Sequence, residues 1–240
     1  MNDTISIDLS KPWSFANPEK RSIPKSAPLL NRPTLWPSSD NQSFYSWGGW
    51  RSYYVSNTTA IPQVALWKFA SDGSGGGAWS QEDTSPTAAG ITRPAGGLGA
   101  AGNGVGYMLG GYSSSVTAPE TALVKGAIPL PGLLKYDMSG RTWNNQSSAG
   151  YSTFGTGLFG HMQFVQRFGP NGLLLMMGGE ATGLTSYVDN GAGLLKLNNI
   201  TIYEPESKSW YSQITTGTPP EPRDRFCAVG ALSPSGSYEM

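Results

Sequence analysis

Side chains capable of covalent or metal chemistry are scarce in this chain: of 240 residues one is histidine, His161, and one is cysteine, Cys227. A Cys/His zinc cage takes about four such ligands, and a Ser/His/Asp or Cys/His catalytic set would have to be assembled around His161 alone. A single cysteine also excludes an intrachain disulfide. His161 stands in GLFGHMQF and Cys227 in RDRFCAVG. Both segments read as first strands of a sheet, where a packed imidazole and a buried, inert thiol are expected. Asp and Glu are present, but no pair is set off by context as general acid and base. The glycine-rich GNGVGY at 102–107 lacks the following helix that a phosphate site requires. The expectation is therefore no catalytic residue, no cofactor-binding residue and no metal ligand.

Recognition chemistry is better represented. Trp50, Arg51, Tyr53 and Tyr54 form the densest cluster of aromatic and guanidinium side chains, with Tyr112, Glu180 and Tyr187 further along the chain. Trp, Tyr and Arg dominate binding hot spots, and aromatic faces also stack on sugars. Local loop packing is the alternative use of the same residues.

The elements that hold these residues follow from composition. Lys+Arg 16 balance Asp+Glu 16, so the formal net charge is zero, and only 13% of residues are charged. Without a basic patch or run there is no electrostatic footprint for phosphates, so nucleic acid is not an expected partner. Gly 32 and Pro 18 disfavour long helices and favour a turn-rich all-β design, while Trp 8, Tyr 11 and Phe 8 supply large buried surfaces. The longest run of large apolar residues is Leu173 to Met177, far short of the ~20 residues of a membrane span. The opening MNDTISIDLS carries neither the basic nor the apolar region of a secretory signal.

Three glycine doublets organise the sequence: Gly48 and Gly49 after FYSW, Gly110 and Gly111 after GYML, Gly178 and Gly179 after LLLMM. Each is followed by a second apolar segment and then a tryptophan. These are ALWKF before Trp79, LLKYD before Trp143 and ITIYEP before Trp210. Tyr136 precedes Trp143 by seven positions and Tyr203 precedes Trp210 by the same interval. Phe69 stands further from Trp79 because SDGSGGG intervenes as a loop insertion. Another apolar stretch precedes each doublet, and DRFCAVGAL at 224–232 begins a fourth unit. Each unit thus predicts four short strands in fixed order.

This pattern resembles the kelch repeat, and the chain is similar to the extracellular kelch proteins of filamentous fungi in phrases such as TISIDLS, IYEPESKSWYSQ and PPEPRDRFCAVG. Its units are longer than the ~50 residues usual for kelch. The resemblance implies an all-β kelch-type β-propeller in one domain, with about three complete four-stranded blades and partial blades at both ends. The boundaries read from the sequence are 1–28 for a partial blade and linker, 29–85, 86–150 and 151–215 for blades, and 216–240 for the start of a further blade. Thr4 to Leu9 with Trp13 is expected to be the last half of a blade. The unit count points to a piece of a six- or seven-bladed propeller in preference to a closed four-bladed ring. The doublets are expected to turn the chain where a side chain would block it, and Trp79, Trp143, Trp210, Tyr136 and Tyr203 to fill the space between blades.

In such a meander the second-to-third loops and the blade-to-blade loops share one face, and here they are the long ones, which marks that face as the candidate binding surface. The expected function is a non-catalytic interaction module for a protein or glycan, without cofactor. The alternative is a galactose-oxidase-like propeller or a lectin-type carbohydrate-binding domain. That oxidase family's copper site takes two histidines, two tyrosines and a cysteine, which the single His161 and Cys227 do not supply. Sequons at Asn2, Asn41, Asn57, Asn145 and Asn199 fit a secreted or cell-surface parent. The missing signal leaves a cytoplasmic location open.

Overall fold

Alternating apolar and polar residues in runs of about five, separated by glycine and asparagine, specify short antiparallel strands, and the computed structural model contains twenty among its described residues. It describes residues 3–52, 61, 64–82 and 90–240. In chain order the strands are β1 (Asp3–Ile7), β2 (Lys20–Pro24), β3 (Leu30–Asn31), β4 (Thr34–Pro37), β5 (Ser43–Trp47), β6 (Trp50–Arg51) and β7 (Trp67–Ser71). There follow β8 (Gly77–Gln81), β9 (Leu98–Gly102), β10 (Val105–Leu109), β11 (Tyr112–Ser114), β12 (Ala127–Pro129), β13 (Leu133–Asp137) and β14 (Thr142–Gln146). The last are β15 (His161–Val165), β16 (Leu173–Met177), β17 (Asn199–Glu204), β18 (Ser209–Ile214), β19 (Ala231–Leu232) and β20 (Tyr238–Glu239).

Three four-stranded antiparallel meanders result: β4-β5-β7-β8, β9-β10-β13-β14 and β15-β16-β17-β18. Their first strands lie side by side, β9 running against β4 on one side and β15 on the other. A Cβ on Gly99 would strike Thr34 and one on Gly102 would strike Phe164, so glycine in β9 permits that close approach.

The aromatic residues predicted to lie between blades form cross-strand pairs. Tyr136 faces Trp143, Tyr203 faces Trp210, and Phe69 faces Trp79 despite the insertion in its loop. The ring centroids are 4.7, 4.7 and 5.5 Å apart. Tyr136 and Trp143 pack with Trp36, Trp47 and Met108 between the first and second blades. Tyr203 and Trp210 join Leu98, Leu109 and Met176 between the second and third. Trp36 also donates its Nε1 proton to the Tyr107 carbonyl at 3.0 Å. Tyr136, Trp143 and Tyr203 are buried, whereas Trp79 and Trp210 are half-buried.

The doublets hold each blade to the next. The second glycine of each pair donates its N–H across the gap: Gly49 to Pro94 O at 2.8 Å, Gly111 to Gly157 O at 2.8 Å, and Gly179 to Arg223 O at 2.9 Å. All six glycines have positive φ.

Three expectations are corrected. DRFCAVGAL does not form a first strand over 224–232: only Ala231–Leu232 is strand, and it pairs with Tyr238–Glu239. Cys227 is exposed, not buried, in the non-strand stretch that precedes Ala231. At the other end β1 pairs with β2 in a separate hairpin, and Trp13 lies outside it, 53% exposed. Among the described residues no helix is long and apolar enough to cross a membrane.

The doublet geometry gives a stability test. Gly104, in the Asn103-Gly104 turn between β9 and β10, has φ +74° with open space around it, while Gly110 has φ +65° and a Cβ there would lie 2.3 Å from Gly157 O. Gly104→Ala is expected to cost the left-handed penalty alone, about 1–2 kcal/mol. Gly110→Ala should cost at least about 1 kcal/mol more by overpacking, measured by urea unfolding of the two variants. Equal losses would remove the steric role of the doublet.

Candidate functional site

Two backbone positions recur in every blade on the face where the doublets lie. The first is the residue after the doublet: Trp50, Tyr112 and Glu180. It bridges back to the residue that precedes a left-handed corner, giving the pairs Asn31 with Trp50, Ala95 with Tyr112 and Leu158 with Glu180. The second position is the corner itself: Arg32 (φ 51°), Gly96 (φ 68°), Phe159 (φ 55°) and Arg225 (φ 54°), the first three lying two residues before β4, β9 and β15. The Phe159 N–H donates to Gly96 O at 2.7 Å and the Arg225 N–H to Phe159 O at 2.8 Å, so the corners pass hydrogen bonds along the arc. Side chains from both positions are thereby directed to the mouth of the arc, beside the first strands.

There they meet. Trp50 and Tyr112 have ring centroids 6.2 Å apart, Tyr112 and Tyr187 stack at 6.4 Å, and Phe159 lies 6.0 Å from Tyr112 and 5.8 Å from Tyr187. Arg32 sits 5.2 Å from the centroids of both Trp50 and Phe159, and Arg225 sits 4.1 Å from that of Phe159. Such contacts hold a planar guanidinium in place through the ring quadrupole. A cleft of about 490 Å³ is lined by Arg32, Trp50, Tyr112, Tyr187, Asp189 and Arg225 among others. A second of about 370 Å³ shares Arg32, Phe159 and Arg225 with it.

The acidic side of the mouth is tightly coupled. Glu180 is 1% exposed and accepts a hydrogen bond from the Tyr187 hydroxyl at 2.9 Å. Arg225 donates to Asp189 at 2.7 Å and to the Tyr187 oxygen at 3.3 Å, and pairs with Asp224. Carboxylate oxygens of Glu180, Asp189 and Asp224 lie within 4.8 Å of one another, which is the spacing of a cation site. Arg225 already supplies a cation to two of the three. Burial raises the Glu180 carboxyl above its ordinary range, and the nearby Asp224 and Asp189 charges add to this while the Tyr187 bond opposes it.

Of the residues singled out in the sequence, Trp50, Tyr112, Glu180 and Tyr187 are thus brought together. Arg51 is set otherwise: its N–H bonds Val116 O at 2.9 Å, tying the first blade to a loop of the second. Tyr53 and Tyr54 lie outside the described residues, as do the sequons at Asn2 and Asn57. Asn41 is exposed in the β4–β5 turn and Asn145 is exposed on β14. Asn199 is half-buried at the start of β17, its Oδ1 accepting from Ser212 Oγ at 2.7 Å. His161 is half-buried on β15, and burial lowers its imidazole below the ordinary range while Gln163 opposes. Sequence reasoning missed Arg32, Phe159, Arg225, Asp189 and Asp224. The available signal was the common register of Arg32, Gly96, Phe159 and Arg225 against the doublets.

The raised Glu180 carboxyl has a measurable consequence. The folded chain binds this proton more tightly than the unfolded chain does, so stability is full below the ordinary value of 4.5 and is lost as pH rises through the elevated folded value. Glu180→Gln, which stays neutral, is expected to remove that loss. The measurement is the difference in melting temperature between wild type and variant from pH 4 to 8. A pH-independent difference would contradict the assignment.

The fold and site geometry can be set beside known proteins. No family model matches the chain. A kelch repeat-containing protein of Arthroderma benhamiae (strain ATCC MYA-4681 / CBS 112371) is 22% identical over an alignment covering 97% of this chain and 38% of that protein. The chain therefore spans under two fifths of that relative's length. Among solved structures, that of YjhT superposes with a TM-score of 0.57 at 12% identity, covering 93% of this chain and 62% of that one. Three meanders with one glycine-doublet pattern, a relative named for its kelch repeats and a solved structure of like fold support a kelch-type β-propeller fold for this chain.

Proposed function

We propose that this propeller chain is a non-catalytic recognition module that binds a glycan or a protein partner through the aromatic and guanidinium cleft at its doublet face. The observation that carries the reading is convergence. Trp50 and Tyr112 from the position after the doublets, with Arg32 and Phe159 from the left-handed corners, supply four side chains to one surface. These are the residue types that dominate binding hot spots, and hydrogen-bonded backbone positions hold their Cα atoms before any ligand arrives. An extracellular or cell-surface setting is part of the proposal, supported by the exposed sequons at Asn41 and Asn145.

The test is an array of defined glycans alongside purified cell-surface proteins, probed with wild type and Tyr112→Ala. Loss of at least tenfold in affinity at an unchanged circular dichroism spectrum is the expected result. Unaltered affinity in the variant would take the cleft out of consideration. Peroxide release from primary alcohols after copper loading would overturn the non-catalytic part.

A further inference from the structure

The two arginines at the mouth are in opposite electrostatic situations. Arg225 is held by Asp189, Asp224 and the Tyr187 hydroxyl. Its charge is answered within the protein, and it fastens the loop carrying Tyr187 and Asp189 to the segment beginning the fourth repeat. Arg32 has no carboxylate partner among the described residues. Its neighbours are the Trp50 and Phe159 rings, each 5.2 Å away, and its residue is exposed at the edge of the 490 Å³ cleft. A guanidinium fixed against two rings has lost part of its conformational freedom and keeps its planar fork of donors, the geometry that takes a carboxylate bidentately.

The cleft is polarised as well. Arg32 stands by Trp50 and Phe159, while Asp189, with a side chain 62% exposed, lines the cleft with Tyr187 and Arg225. An acidic peptide offers carboxylates without the ring hydroxyls that could donate to Asp189. A sugar acid carries one carboxylate per ring and several hydroxyls, which donate to an exposed carboxylate oxygen, and its apolar ring face suits Trp50 and Tyr112. The volume is that of a few pyranose rings. From these features we infer that the cleft binds a carboxylate-bearing oligosaccharide of the uronic acid type, its carboxylate on Arg32 and its hydroxyls toward Asp189. This inference rests on the recognition role proposed for the cleft.

Arg32 occupies a left-handed corner where the second blade has Gly96, so Arg32→Gly removes the guanidinium without opposing the backbone (φ 51° and 68°). Isothermal titration of the 240-residue chain would use oligogalacturonate, its neutral galacto-oligosaccharide counterpart and a glutamate-rich peptide. The expected result is binding of oligogalacturonate at least tenfold tighter than the neutral sugar or the peptide, weakened by salt. In Arg32→Gly that preference should fall to near unity. Equal binding of acidic and neutral sugars, or preference for the peptide, overturns the inference and leaves the recognition role standing. Absence of binding in all three series overturns the inference, while loss of another ligand's binding in Tyr112→Ala would still support the broader role.

Discussion

A four-stranded sheet of five-residue strands has two apolar faces and covers neither, so each blade is stable only against its neighbours. The contact that fixes one blade on the next is the backbone hydrogen bond from the second glycine of the doublet to a carbonyl of the following repeat, at 2.8 to 2.9 Å in all three copies. It forms only because the chain turns there with positive φ and with no Cβ. A side chain at Gly110 would occupy the space of Gly157, and one at Gly48 would meet Pro94 O at 2.6 Å. The Tyr–Trp pairs join the inter-blade core clusters, and the glycine bonds fix the spacing at which those clusters meet. Trp36 reflects that spacing: a Cβ on Gly106 would lie 2.3 Å from its ring.

The same bonds place the candidate surface at the doublet face. The residue after each doublet is bridged to the residue before a left-handed corner, and the corners are bonded to one another along the arc. Neither position contributes its side chain to either inter-blade core cluster, so both are free to vary while their Cα positions hold. They hold Trp, Tyr and Glu after the doublets and Arg, Gly, Phe and Arg at the corners. Conservation of backbone with divergence of side chain within one chain is how a repeat protein builds an asymmetric site on a near-symmetric frame. Non-glycine residues in left-handed corners carry a cost of about 1–2 kcal/mol each, a cost Arg32, Phe159 and Arg225 bear where Gly96 bears little.

The blades were legible because their signals are local. A doublet, a Tyr and a Trp seven residues on define a hairpin and its cross-strand pair, and even the SDGSGGG insertion left Phe69 opposite Trp79. Half of the site was legible for a similar reason, since Trp50, Tyr112 and Glu180 follow the doublets directly. The corners were not, because only Gly96 has the residue type that announces positive φ. Asp189 and Asp224 were invisible for another reason: their meaning comes from Arg225, which reaches Asp189 from the following repeat and draws the adjacent Asp224 to the same place. The environment of Cys227 depends on strands beside it in space, and its apolar neighbours in sequence said nothing of that.

Arginine at two equivalent corners serves two ends, and the difference lies wholly in the neighbours. At Arg225, Asp189 comes from the long second-to-third loop of the third blade and Asp224 is the adjacent residue, so the charge is neutralised on two sides. At Arg32 the guanidinium lies over two rings. A ring attracts a guanidinium by about 0.5–2 kcal/mol without cancelling its charge, so Arg32 is positioned by Trp50 and Phe159 and still projects a positive potential into the cleft. Phe159 serves both arginines, at 5.2 and 4.1 Å, and is itself buried at 8% exposure by the aromatic cluster around it. One corner thus stiffens the wall while its equivalent stays electrostatically open, and Phe159 between them lets both stand at one mouth.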